Sequence, residues 1–152
     1  MSVRKIGQVC LLTSLLASLL ASPSAQTGKT YKARLSPVPI DVTMQSIIAG
    51  SGSVTAVLTQ NKLTIDGTYE SLKSPATIAQ VHWGQKGVRG PVVQEMRLKV
   101  SGGTSGTITG TLDLNPTQVA DLGQSWFYVQ LHSEKAPDGN LWGWLLLQEN
   151  RK

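Results

Sequence analysis

The chain of 152 residues contains one cysteine, Cys10, and two histidines, His82 and His132. A single thiol excludes an intrachain disulfide framework, a cysteine-ligated zinc site and a Cys-x-x-Cys redox centre. Two imidazoles are too few for a multi-histidine metal cage. Charged residues make up only 15% of the chain and form no basic run, so nucleic acid is not an expected partner. No apolar stretch reaches the roughly 20 residues that a transmembrane segment needs. A disordered chain is excluded by the 40% hydrophobic content, and a helical bundle by fifteen glycines and seven prolines. What remains is one domain, long enough to bury a real core.

Arg4 and Lys5 precede an apolar run at 9–20, after which Ala21-Ser22-Pro23-Ser24-Ala25 supplies small residues around a turn former. This pattern predicts a cleavable export signal over 1–25, with Pro23 an unusual residue three positions before the cut. The mature chain, 26–152, then lacks cysteine. Cys10 precedes the apolar run, where a lipidated cysteine would have to follow it, so no lipid anchor is expected. Removing Arg4 and Lys5 from the 14 basic residues leaves a mild formal +3 against the 9 acidic ones. The expected location is periplasmic or secreted.

The mature chain reads as strands. Ser53-Val54-Thr55-Ala56-Val57-Leu58 alternates, and after Gln60-Asn61 the apolar Leu63, Ile65 and Tyr69 alternate with Lys62, Thr64, Asp66 and Thr68. Such spacing marks half-buried strands joined by a hairpin. Further strands are expected at 29–35, 77–83, 92–100, 106–112, 125–132 and 141–148, each bounded by Gly, Pro, Asn or Ser. Eight short strands predict an all-β fold, an antiparallel Greek-key β-sandwich. One helix interrupts them: Asn115-Pro116-Thr117-Gln118 carries a capping residue, a first-turn proline and a glutamine at the third helical position. It is expected over 116–122, ended by Gly123.

Two segments echo each other, Ala79-Gln80-Val81-His82-Trp83 and Val129-Gln130-Leu131-His132-Ser133. In each, Gln and His stand two apart at a strand end and project from one face. If the two strands are neighbours, Gln80, His82, Gln130 and His132 form one polar cluster.

At these segments the chain resembles the CHRD (chordin-type) domain family. The resemblance rests on Ser74-Pro75-Ala76-Thr77 leading to Val81-His82, Gly90-Pro91-Val92-Val93, the late helix at Gln118-Val119-Ala120, Phe127-Tyr128-Val129-Gln130-Leu131-His132 and Gly139-Asn140-Leu141-Trp142-Gly143. It spans about 31–147, and the order and spacing of these blocks are its specific feature. It implies an exported all-β domain, found in bacteria and in extracellular animal proteins, whose bacterial members mostly lack an assigned activity. Two departures stand out. The family often carries His-hydrophobic-His where this chain has Gln80-Val81-His82, and Gly-hydrophobic-Arg-Gly where it has Asn140-Leu141-Trp142-Gly143.

Two readings of the cluster stay open. In the first, His82 and His132 cap strand ends and bond to the backbone of the loops that follow. In the second they bind copper or zinc, with Glu95, Glu134, Asp138 or water completing the shell. No Gly-x-Ser-x-Gly elbow occurs, and Ser133 alternates away from His132, so no catalytic residue is assigned. The tryptophans form the other constellation. Trp126, Tyr128, Gln130 and His132 share one face of their strand, Trp142 and Trp144 one face of theirs, while Phe127, Val129, Leu131, Leu141, Leu145 and Leu147 take the opposite faces. Strands apolar on both sides are either covered twice or carry an interface. The expected function is accordingly a non-catalytic binding module or accessory subunit, for example the small subunit of an exported quinoprotein dehydrogenase, without a cofactor, meeting a larger exported protein through Trp126, Tyr128, Trp142 and Trp144. The alternative is a copper- or zinc-binding protein that uses His82 and His132. Lys86, Arg89, Lys135, Arg151 and Lys152 read as solvated charges.

Overall fold

The computed structural model describes residues 28–38 and 41–149, the side chains of Gln94 and Glu95 excepted; the expected export signal, the cleavage point after Ala25, the candidate ligand Glu95, and Arg151 and Lys152 lie outside what is described. The strands are β1 (Lys29–Pro37), β2 (Ser51–Thr59), β3 (Lys62–Glu70), β4 (Ala76–Trp83), β5 (Val92–Val100), β6 (Gly106–Asp113), β7 (Phe127–Ser133), β8 (Ala136–Trp144) and β9 (Leu146–Leu147). One helix, α1 (Pro116–Gly123), and a 3-10 turn (Val42–Ser46) complete the described elements. The all-β class holds, and the pairing order β3-β6-β5-β4-β7 keeps Greek-key crossovers from β3 to β4 and from β6 to β7.

The expected sandwich is corrected to a closed barrel, because two strands turn corners and pair on both sides. β1 pairs with β2 from Lys29↔Leu58 to Leu35↔Gly52, then with β8 at Ser36↔Trp142 and Pro37↔Leu141. At the opposite corner β5 pairs with β4 up to Ala79↔Leu98 and with β6 at Lys99↔Thr109 and Val100↔Ile108. Closure leaves no open edge between two sheets. Local alternation says which face of a strand is buried, but not that one strand will serve two neighbours.

The core fills the barrel with the inward residues that alternation marks: Tyr31, Ala33 and Leu35 of β1, Leu63 and Ile65 of β3, Phe127, Val129 and Leu131 of β7. Each large apolar side chain buried there contributes about 1.5–3 kcal/mol relative to exposure. Helix α1 begins as its sequence predicts. Asn115 Oδ1 accepts from Gln118 N at 2.9 Å, Gln118 Oε1 accepts from Asn115 N at 2.9 Å, and Leu122 packs fully buried in the core.

The strand expected at 141–148 is the second correction. β8 starts earlier, at Ala136, because the hairpin from β7 is tight, and pairing with β7 ends at Leu145, whose amide donates to Phe127 O at 2.9 Å. β9 then pairs with β1 through Tyr31↔Leu147 and Lys32↔Leu146. This switch leaves Leu147 42% exposed instead of on the core side with Leu141 and Leu145.

Candidate functional site

β7 is buried on both faces along its whole length. Its inward face is the barrel core; its outward face carries Tyr128, Gln130 and His132, and something must cover them. Pairing with β4 sets Gln80 opposite Gln130, His82 opposite Tyr128 and Ile78 opposite His132. The two Gln-x-His segments are thereby neighbours, and the expected cluster exists. The covering comes from the loop over 84–91 and from the first residues of β8. His82 Nδ1 donates to Gly90 O at 3.1 Å, and Tyr128 Oη accepts from Gly90 N at 3.0 Å and donates to Gly90 O at 3.2 Å. His132 Nδ1 donates to Pro137 O at 2.7 Å, and Gln130 Nε2 donates to Asp138 O at 2.9 Å. Arg89 ties the two covers together, its Nη2 donating to the same Asp138 carbonyl at 2.9 Å.

Since a carbonyl oxygen only accepts, each imidazole carries its proton on Nδ1. Each Nε2 is then a bare acceptor. Both Nε2 atoms, together with Gln130 Oε1, are buried and have no hydrogen-bond partner among the described residues. The imidazole rings lie 6.2 Å apart between centroids with 29° between their planes, and His82 stacks on Tyr128 at 5.0 Å. Burial is the main reason that both histidines sit below the ordinary 6.5. The Gly90 and Pro137 carbonyls oppose that shift, the Arg89 charge reinforces it, and Asp138 opposes it at His132. Burial likewise raises the Tyr128 phenol.

Backbone shape makes the cover possible. Gly139 adopts φ 129°, a left-handed value, and a Cβ there would run into the Gln130 amide. At Gly90 a Cβ would collide with the Trp83 carbonyl. Side chains at either position would lift the cover off the cluster.

The tryptophans gather at the end of the same wall. Gly84 N donates to Trp126 O at 2.7 Å, Gly84 O accepts from Trp144 Nε1 at 3.0 Å, and Trp83 precedes it in the chain. Trp83 and Trp126 meet edge-on at 5.7 Å, Trp142 and Trp144 at 4.6 Å. Trp126, Trp142 and Trp144 are half-buried, and Trp83 is 41% exposed. Tyr128 is 0% exposed, which corrects its expected place among partner-contacting residues: it lies beneath the loop over 84–91 and stacks on His82. Trp83, which the sequence reading does not include in this group, ends β4, and Asp121 Oδ2 accepts from its Nε1 at 3.0 Å.

Arg89 is no free charge, since it bridges the loop over 84–91 to the start of β8. Gln80 is half-buried opposite Gln130. Glu134 and Asp138 are exposed, and among the described residues no three His, Cys, Asp or Glu side chains gather around a common point. Asp138 serves the cluster through its backbone carbonyl instead. Ser133 is buried with its Oγ accepting from Asn140 Nδ2 at 3.0 Å, so it is no nucleophile for His132.

The family model of the CHRD domain matches residues 31–145. The chain belongs to the CHRD family. No curated protein and no solved structure matches it. The CHRD domain is not a known enzyme family, and membership suggests a non-catalytic binding or accessory module. The matched span runs from Tyr31 to Leu145, both buried in the barrel core, so the CHRD unit is the barrel itself, without β9. Gln80 stands on the covered wall, and Trp142 packs against Tyr128 at 5.9 Å. Among the described residues no helix is long and apolar enough to cross a membrane.

Proposed function

We propose that this CHRD domain is a non-catalytic binding module, exported to the periplasm or the medium, that serves as an accessory subunit of a larger exported protein. It meets that protein through the barrel end at which its tryptophans converge. The observation that carries this reading is the gathering of Trp83, Trp126 and Trp144 about Gly84 with Trp142 packed on Trp144, none of the four fully buried. Tryptophan is enriched among residues that dominate binding energy, and apolar surface of this kind without a partner favours aggregation. Val88, 56% exposed in the loop over 84–91, extends the same apolar end.

The test is capture of exported proteins on the immobilised mature chain, compared with its Trp83→Ser variant. Trp83 is the most exposed of the four, so its loss separates binding from folding. The reading expects a captured large protein whose recovery falls at least tenfold with Trp83→Ser at nearly unchanged melting temperature. A quinoprotein dehydrogenase subunit in the captured band would give the accessory role its specific form. Equal recovery on both chains would contradict the proposal.

A further inference from the structure

We propose that His82 Nε2, His132 Nε2 and Gln130 Oε1 together bind one copper ion, held as Cu(I). This site is independent of the tryptophan end and of any partner that docks there.

The inference starts from a count of donors. Three acceptor atoms are buried on one face of the β4–β7 pair, and no described residue donates to any of them. None can escape by turning over. Each imidazole is held by its Nδ1–H on a backbone carbonyl, Gly90 O or Pro137 O, and the Gln130 amide by its Nε2–H on Asp138 O. A flip would set the Gln130 oxygen against the Asp138 carbonyl and replace each Nδ1–H donor by a ring C–H, and moving a ring proton to Nε2 would set a bare nitrogen against a carbonyl. Buried polar atoms are nearly always satisfied. A water molecule carries only two protons and serves two of the three acceptors; one cation serves all three.

The surroundings are those of metal-binding histidines. Such residues donate the other ring nitrogen to a backbone carbonyl or carboxylate, which fixes the tautomer and aims the free lone pair. Both histidines here do so. A centroid separation of 6.2 Å leaves room for an ion at about 2.0–2.1 Å from each ring nitrogen, the usual metal–imidazole distance. The bond directions are then wide apart, as in low-coordinate complexes.

Charge selects the ion. All three ligands are neutral, the groups acting on the histidines include the Arg89 cation, and the nearby Asp138 engages through its carbonyl with its side chain exposed. A dication in such a cage would keep both charges uncompensated in a buried place, at a large desolvation cost. A monocation that accepts few ligands fits better, and the two imidazoles suit copper.

The experiment is an anaerobic titration of the untagged mature chain with Cu(I), competed against a chromophoric chelator and run beside Zn(II). Long-range proton–nitrogen NMR, possible because Cu(I) is diamagnetic, reads the imidazole nitrogens in the same samples. The proposal expects one equivalent of Cu(I), a shift of both Nε2 resonances with both Nδ1 protons retained, and weaker Zn(II) binding. His132→Gln should weaken Cu(I) binding at least about 100-fold, while Gln80→Leu, on the same face with no assigned ligand role, should leave it within a few-fold. The unmodified chain carries the decisive reading, so a variant that fails to fold does not protect the proposal. Absence of stoichiometric binding, copper that leaves both Nε2 resonances unmoved, or a preference for Zn(II) would each overturn it.

Discussion

The wall formed by β2, β3 and β6 and the wall formed by β4, β7 and β8 obey the same pairing rules and differ in what stands on their outer faces. On the first, Thr55, Thr64, Thr68, Thr107, Thr109 and Thr111 point outward and are exposed, with Thr64 opposite Thr111 and Thr68 opposite Thr107. On the second, the equivalent places hold His82, Tyr128, Gln130 and His132, all buried under the loop over 84–91 and the start of β8. One wall thus has a single apolar layer, and the other has a core on its inside and a polar and aromatic layer on its outside. The difference shows that a small barrel does not need the second layer to close. What it adds is an organised set of buried acceptors, which the threonine wall lacks.

The sharpest way to break the comparison is to truncate one outward residue on each wall. Tyr128→Ala should cost about 3–5 kcal/mol, as large-to-small changes in cores do. Thr64→Ala should stay within about 0.5 kcal/mol, as surface changes do. Urea unfolding measures both, and equal costs would mean that the second layer is not a packed one.

A smaller effect is expected from the cover itself. Gly139→Ala forces a left-handed backbone and a clash with the Gln130 amide, for a loss of about 1–3 kcal/mol. Gly123→Ala, whose added methyl meets nothing within 4 Å, should be neutral, and thermal melts of the two variants compare them.

The walls also differ in proton uptake. His82 and His132 titrate below 6.5 in the folded chain, mainly through burial, so the unfolded chain binds more protons once pH falls to that region. Stability is therefore fully present above about 6.5 and declines as pH drops through it toward the lower folded values. Denaturant midpoints of the metal-free protein at pH 7.5 and pH 5.5, used as about one unit either side of the ordinary histidine value, should show that loss. Replacing both histidines by glutamine should abolish it.

The smallest effect belongs to the threonine wall. Lys62 Nζ pairs with Asp113 Oδ1 at 3.0 Å, with side chains 57% and 72% exposed. Asp113→Asn should change stability by less than about 0.5 kcal/mol, measured in the same urea series.

The two walls were unequally legible from sequence. Alternation located the strands of the threonine wall, because water on one face and core on the other impose a period of two. The repeated Gln-x-His located the cluster, since both pairs lie on strands that proved adjacent. Barrel closure was not legible: β1 and β5 each pair on both sides, and nothing local encodes a second neighbour. Nor was the cover legible, since Gly90, Pro137 and Asp138 act through backbone carbonyls, which carry no side-chain signature. Arg89 looked like any loop cation for the same reason, its partner being the Asp138 carbonyl. The exposure of Leu147 followed from a change of partner strand that its apolar neighbours conceal.

The most direct test of the second layer is the protonation of its two imidazoles, read by long-range proton–nitrogen NMR on the metal-free mature chain at neutral pH. The account predicts both His82 and His132 as neutral rings protonated at Nδ1, with Nε2 bare and the Nδ1 protons slow to exchange beneath the loops. Rings protonated at Nε2, or Nδ1 protons lost rapidly to solvent, would contradict it.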